Sequence, residues 1–340
     1  MSLRTALIGF GKMADTYAED PIMARHYRYA AHSQVLAEHP AFTWDCVIDP
    51  SPDARDRAKE RWGIAQTFAT VTEAAAAGYA PDCLVIATPP TLRAAALEPL
   101  PSVKAILVEK PLGPSLAEGE ALMTLARARN VMVQANIWRR ADETLRRLAG
   151  GLLAEKLGRV QAATLIYGNG LHNNGFHMID LTRMLLGEVV AVQAFGGAIP
   201  GPHLPLQGDF DLRFALHLMG GEIVLAQPVD FRAYRENGFD FWGTEGRLSV
   251  WQEGLTFALA PRRDNRAMRG ESEIASDAAE LLPTTVGTAL WQMYDNLADA
   301  VAGRAPLWSP GESALQVERV VAALEASLSA NGAKIEVAYV

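Results

Sequence analysis

The feature that most constrains this chain is a series of short apolar runs, each closed by glycine, proline or an acid, with little polar alternation inside them. They lie at residues 5–8, 43–48, 83–87, 105–108 and 131–134, with a shorter one around Phe68. A strand with one face in water alternates apolar and polar residues, whereas a run that is apolar throughout must be covered on both faces. Helix-like stretches separate the runs, charged at 53–62 and alanine-rich at 71–78. Apolar strands alternating with helices build a parallel sheet packed on both sides. The chain through residue 136 is therefore expected to be a doubly wound α/β domain.

The remainder has a different period. In residues 209–218, Phe210, Leu212, Phe214, Leu216 and Leu218 alternate with Asp209, Asp211, Arg213, Ala215 and His217. Further strand candidates lie at 161–167, 223–227 and 247–251, joined by glycine-rich turns. This pattern predicts an antiparallel sheet with one face on helices and the other exposed or paired. Helices are expected at 177–186, ended by Gly187, and at 289–302 and 312–330; the charged segment 262–273 reads as a loop. The expected division is a dinucleotide-binding domain at 1–136 and a second domain at 137–340, carrying the C-terminal helices of 289–330. A length of 340 residues agrees, since single domains mostly run to roughly 100–200 residues.

Composition removes several function classes. Hydrophobic residues make up 49% and charged ones 21%, which excludes wholesale disorder. No apolar stretch approaches the ~20 residues of a membrane span. The first ten residues read as a strand rather than a secretory signal, so a cytoplasmic location is expected. With 31 basic against 39 acidic residues, the net charge of −8 argues against nucleic acid or an anionic membrane as partner. Two cysteines, Cys46 and Cys83, can form neither a disulfide framework nor a structural zinc site, and no metal is expected.

Three elements carry chemistry. The first is Gly9-Phe10-Gly11-Lys12-Met13-Ala14, a glycine turn between a first strand and a helical stretch. Such a turn lets backbone approach a pyrophosphate, and alanine can replace the third glycine because only close packing is asked there. Asp49 closes the second strand, where a carboxylate accepts hydrogen bonds from the adenosine ribose. Pro50-Ser51-Pro52 supply no arginine for a 2′-phosphate, so NAD is favoured over NADP. The 38 residues from Gly11 to Asp49 exceed the usual spacing of about 20, which marks residues 15–31 as an insertion. Its Arg25 and Arg28 suit a phosphorylated or polyhydroxylated ligand.

The second element, Glu109-Lys110-Pro111, ends the fifth strand on the carboxyl edge of the sheet, where Lys110 can hydrogen-bond and deprotonate a hydroxyl. The third is Asn173-Asn174-Gly175-Phe176-His177-Met178-Ile179-Asp180, in which His177 opens a helix and Asn173 precedes it by four residues.

Together these elements resemble the glucose–fructose oxidoreductase, inositol dehydrogenase and rhizopine-catabolism (Gfo/Idh/MocA) family. Gly9-x-Gly11-x-x-Ala14, Thr88-Pro89-Pro90, Glu109-Lys110-Pro111 and Gly175-x-His177-x-x-Asp180 occur in that family's order. The resemblance implies a Rossmann domain, a C-terminal α+β domain with a large, mostly antiparallel sheet, and homodimers or homotetramers formed through that sheet. It also implies NAD cradled by residues 9–14 with Asp49, Thr88, Pro89, Glu109 and Lys110. Lys110 and His177 would then flank the nicotinamide and a sugar or cyclitol carbinol, with Asn173 binding substrate.

Two positions depart from the family pattern. Asn173 stands where aspartate is common, and an amide holds a hydroxyl but accepts no proton, which leaves neighbouring His172 as a reserve base. Arg93 stands where histidine often follows Thr-Pro-Pro. The function implied is hydride transfer between NAD and a carbinol of a sugar, amino sugar, sugar nucleotide or cyclitol. An NAD-dependent glycosidase using transient oxidation and a non-catalytic NAD-binding regulator are the alternatives.

Overall fold

The computed structural model describes residues 2–201 and 204–338. Two compact units emerge: Met1–Ala141 with Gly287–Leu315, and Asp142–Val286 with Gln316–Val340.

Among the described residues, the first unit holds six strands: β1 (Leu3–Ile8), β2 (Phe42–Ile48), β3 (Gln66–Phe68), β4 (Cys83–Ile86), β5 (Ala105–Val108) and β6 (Met132–Ala135). All pair in parallel in the order β3-β2-β1-β4-β5-β6. The chain works outward from β1 to β3, then returns to β4 on the other side. At that reversal the carboxyl ends of β1 and β4 diverge and leave a crevice for a ligand. The apolar runs have the predicted burial, with Ala6, Leu7, Leu84, Val85, Ile106 and Leu107 wholly inaccessible.

Helix α1 (His32–Glu38) starts where Gln34 Oε1 accepts the free amides of Ala30 (2.8 Å) and Ala31 (3.1 Å). Helix α2 (Pro52–Trp62) starts with proline in its first turn and Ser51 capping Ala54, and ends at left-handed Gly63.

One face of this sheet is covered by a helix from far along the chain. Ala289, Leu290, Met293, Tyr294 and Leu297 of helix Ala289–Val301 pack into the same core as Leu7, Val35, Val85 and Leu107. A fully buried Leu or Met side chain contributes roughly 1.5–3 kcal/mol. The helix itself is as expected, but its assignment to the second domain is corrected. An amphipathic stripe shows that a helix has a partner, not which sheet the partner belongs to.

The second unit is built on ten strands among the described residues: β7 (Val160–Tyr167), β8 (Val189–Pro200), β9 (Phe210–Leu218), β10 (Ile223–Pro228), β11 (Gly238–Gly243), β12 (Gly246–Trp251), β13 (Thr256–Asp264), β14 (Ser272–Ile274), β15 (Glu280–Leu282) and β16 (Ile335–Glu336). Every pairing is antiparallel except β7 with β10. Alternation sorts the faces: Val224, Ala226 and Phe241 are buried, while Ile223, Leu225 and Trp242 are exposed.

Segment 262–273 is not simply a loop. Arg262, Arg263 and Asp264 continue β13 and face Ile274, Glu273 and Ser272 of β14. The charges that suggest a loop are cross-strand partners, with Arg263 Nε 2.8 Å from Glu273 Oε1. Elsewhere, burial pushes the Cys46 and Cys83 thiols up to about 12, so both stay protonated. Among the described residues no helix is long and apolar enough to cross a membrane, and no three His, Cys, Asp or Glu side chains gather as a metal site.

Candidate cofactor and catalytic site

The glycine turn sits where β1 leaves the sheet. Its amide and strand partners stitch it to both neighbours: Gly9 N donates to Ile48 O and Ala87 N donates to Ile8 O, both at 2.8 Å. Gly9 has φ +82, and a Cβ there would stand 2.9 Å from the carbonyl carbon and oxygen of Ala87. Only glycine fits. Gly11 has nothing within 4 Å of the corresponding point, which leaves its backbone open to a ligand. Phe10 and Ala14 are buried, Met13 half-buried and Lys12 exposed.

The helix expected to follow the turn is displaced. Asp15 N bonds Gly11 O (2.9 Å), a single 3-10 turn covers Thr16–Glu19, and the regular helix begins only at His32. Residues 15–31 intervene as two short 3-10 turns. Within them Asp15 is wholly buried, accepting from Trp62 Nε1 (2.8 Å) and Ser33 Oγ (3.3 Å). Arg28 N donates to Gly287 O at 2.9 Å, and the Arg25 and Arg28 side chains are exposed, Arg28 lying 5.3 Å above the Tyr29 ring.

Asp49 is half-buried at the end of β2. Its Oδ2 accepts from Phe10 N at 2.7 Å and its Oδ1 from Ser51 N at 2.8 Å, so the carboxylate is tied to the glycine turn. No arginine stands at positions 50–52, as read from the sequence, but α2 brings two alongside. Arg55 Nη1 donates to Asp49 O (2.7 Å) and Pro50 O (3.0 Å), and Arg57 Nη2 donates to Phe10 O (3.1 Å). Sequence reasoning that stopped three residues past Asp49 missed them; the first two turns of a helix starting there are also within reach.

At the end of β4, Pro89 is exposed and Thr88 buried, its Oγ1 without a hydrogen-bond partner. Arg93, itself 3% exposed, donates from Nε (3.2 Å) and Nη2 (3.0 Å) to Thr88 O, and from Nη1 to Glu109 O. Where the family often has histidine, an arginine thus fastens the ends of β4 and β5 together.

Glu109 and Lys110 follow β5, both half-buried, and the Lys110–Pro111 peptide is cis. Asn136 Nδ2 (2.6 Å) and His32 Nε2 (3.1 Å) both meet Glu109 Oε1, and His32 Nδ1 lies 2.7 Å from the Tyr294 hydroxyl. Burial pushes against the charged carboxyl, yet His32, Asn136 and the Arg93 charge together outweigh it and hold Glu109 below the usual range. His32 and Tyr294 were not visible as site residues in the sequence.

The second unit carries the other predicted residues. A wide turn, with Gly175 N bonded to Gly170 O at 3.0 Å, leads into helix Phe176–Leu186, which places His177 one residue into it. His177 is 9% exposed and Asn173 half-buried. Asp209 holds the turn by its backbone, its Oδ1 accepting from His172 N and its Oδ2 from Asn173 N, both at 3.1 Å. Asp211 Oδ1 accepts from Gly170 N at 2.8 Å. This explains why Asp209 and Asp211 are buried rather than solvated, as simple alternation on β9 would have them. The His172 ring is engaged with Glu325 at 3.1 Å.

A family model described as "Oxidoreductase family, NAD-binding Rossmann fold" (GFO_IDH_MocA) matches residues 3–137. The chain is 31% identical over 263 residues to the myo-inositol dehydrogenase Hyg17 of Streptomyces leeuwenhoekii, covering 71% of this chain and 77% of that one. The fold is similar to the WlbA dehydrogenase from Bordetella pertussis solved with NADH and UDP-GlcNAcA: TM-score 0.74, 18% identity, 100% of both chains. It is similar too to a super-repressor mutant of Gal80p from Saccharomyces cerevisiae: TM-score 0.75, 15% identity, 99% of this chain and 98% of that one.

Proposed function

Because this chain belongs to the Gfo/Idh/MocA family of NAD-binding oxidoreductases, we propose that it is the dehydrogenase of a sugar, amino sugar, sugar nucleotide or cyclitol carbinol. The observation that carries the reading is the ionised, doubly bonded Glu109 joined to Lys110 at the carboxyl edge of the first sheet. The residues present fit NAD. Gly11 leaves open backbone, the Thr88 hydroxyl is buried with no partner of its own, and Asp49 stands at the end of β2. Residues 9–14, Asp49, Thr88, Pro89, Glu109 and Lys110 would hold the cofactor, whose nicotinamide supplies the hydride chemistry.

The chain's own part is orientation and proton handling. Lys110 Nζ would hydrogen-bond the carbinol oxygen and take its proton, with His177 sharing that task. Asn173 would hold a hydroxyl, since an amide donates and accepts hydrogen bonds without accepting a proton. Arg25 and Arg28, both exposed, would meet the distal part of the substrate. The exposed apolar side of the second sheet would pair with another copy of the chain.

Screening sugars, sugar nucleotides and cyclitols for NADH formation tests the reading. Losing a positioned acid–base group costs about 10²–10⁴-fold in rate. Lys110→Met and His177→Ala should each lower kcat by about that factor with a far smaller effect on NAD affinity, and Asn173→Ala should chiefly raise KM. Full turnover in Lys110→Met would overturn the mechanism. Glycoside cleavage with catalytic NAD, or no turnover on any substrate, would favour the glycosidase or the regulator instead.

A further inference from the structure

One wholly buried polar group of the first unit is not among the residues assigned above. His32 is wholly inaccessible, as is Tyr294, and the two come from α1 and from helix Ala289–Val301. A buried imidazole bonded to a buried phenol commonly serves packing alone. Here the other ring nitrogen meets Glu109 Oε1, one residue from Lys110.

Hydrogen-bond chemistry narrows the protons. Burial, with Cys83 and Glu109 close by, holds the Tyr294 phenol well above its ordinary range, so it stays an O–H group. Glu109 is a carboxylate and can only accept. His32 must therefore donate from Nε2 to Glu109, while Nδ1 accepts from the Tyr294 hydroxyl or, in the imidazolium, donates to it. The neutral form, with Nδ1 accepting, gives each of the three groups its partner. The remaining tautomer would set a ring lone pair against a carboxylate.

Glu109 is thus held at both ends. Arg93 binds its carbonyl oxygen, while His32 and Asn136 both bind Oε1, which leaves Oε2 uncommitted and the side chain 15% exposed. The groups facing the carboxylate are His32 from α1, Asn136 after β6 and Arg93 from helix Arg93–Leu97.

We propose that His32, braced by Tyr294, is a positioning residue for the reaction: it fixes the Glu109 carboxylate, and through it the strand end that presents Lys110. This rests on the dehydrogenase reading, in which Lys110 meets the carbinol. Misplacing a reacting group by about 1 Å can cost about 10²-fold in rate. Neither His32 nor Tyr294 touches cofactor or substrate in this scheme, so their loss should act on kcat and its pH dependence more than on NAD affinity.

The test uses Tyr294→Phe, His32→Ala and His32→Gln in the full chain. Gln keeps a donor for Glu109, and Phe keeps the buried ring, so Tyr294→Phe remains informative if His32→Ala does not fold. Turnover should fall about 10- to 100-fold in His32→Ala and by less in Tyr294→Phe, with partial recovery in His32→Gln. The kcat–pH profile should shift, while KM and NAD affinity change several-fold less than turnover does. An independent reading comes from cofactor-free protein with carbon-13 on glutamate carboxyls, the Glu109 signal being the one missing in Glu109→Gln. It should titrate below the ordinary carboxylate range in the parent and move upward in both His32→Ala and Tyr294→Phe. An unmoved signal, or kcat–pH profiles that superimpose on the parent's while only the melting temperature drops, overturns the proposal. If instead Lys110→Met keeps full turnover while the carboxyl signal moves, the mechanism fails and the Glu109 anchoring by His32 stands.

Discussion

Replacing Gly9 and Gly11 by alanine, one at a time, separates what the glycine turn does for the fold from what it does for the cofactor. Gly9 sits at φ +82, where an L side chain costs roughly 1–2 kcal/mol. Its new Cβ would also stand 2.9 Å from the Ala87 carbonyl carbon and oxygen, inside the 3.4 Å at which ordinary contact begins. Both neighbours are backbone at the end of β4, so no side-chain rotation relieves the clash. Overpacking of this kind costs about 1–3 kcal/mol, which brings the total to about 2–5 kcal/mol. At about 2–4 °C per kcal/mol for a unit of this size, the first unit should melt about 4–20 °C lower. Gly11→Ala is the counterpart. Its Cβ meets nothing within 4 Å, so the melting temperature should hold within about 2 °C. The added methyl group would stand where the pyrophosphate must approach, and NAD affinity should fall about 10-fold or more. Calorimetry of the cofactor-free protein and fluorescence titration with NAD measure the two effects. A Gly9→Ala variant that melts with the parent, or a Gly11→Ala variant that binds NAD as tightly as the parent, refutes the reasoning.

Two further outcomes follow from the geometry. The parent should bind NAD about 10-fold or more tightly than NADP, because Asp49 would repel the extra phosphate; Asp49→Ser should narrow the gap by leaving Arg55 and Arg57 at the end of β2, and adding Arg55→Ala should restore it, all by fluorescence titration. Light scattering should show more than the 36.8 kDa of one chain, and Trp242→Glu should shift the mass toward it, because Trp242, Ile223 and Leu225 offer exposed apolar surface on one sheet; a parent that scatters as one chain removes the interface.

The parallel sheet was legible because a strand covered on both faces must be apolar along its length, and 83–87 and 105–108 have no other reading. The strand-end residues Gly9, Asp49, Thr88 and Glu109 were legible for the same reason, since motif positions at strand ends inherit their place from the sheet. What escaped depends on contacts that no local pattern encodes. His32 and Tyr294 are separated by 262 residues and meet only because helix Ala289–Val301 covers the first sheet. Arg93 was visible as a departure from the family pattern, but its bonds to the Thr88 and Glu109 carbonyls were not. Asp209 and Asp211 looked like the solvated half of an alternating strand, and serve instead as acceptors for the amides of the turn before His177.

The return of Gly287–Leu315 to the first unit bears on how the protein is made. A nascent chain that has emerged only as far as Ala141 has all six strands of the parallel sheet but lacks the helix that covers Leu7, Val85 and Leu107. Another 160 residues, from 142 to 301, must be synthesised before that helix is complete. At about 5–20 residues per second the wait is roughly 8–32 seconds. During it the half-finished sheet carries a bare apolar face on the ribosome, and its buried histidine has no phenol to meet. The second unit's strands β7 to β15 are made within that interval, but its own last segment, Gln316–Val340, follows Leu315, so each unit waits on a late piece of chain before it can finish.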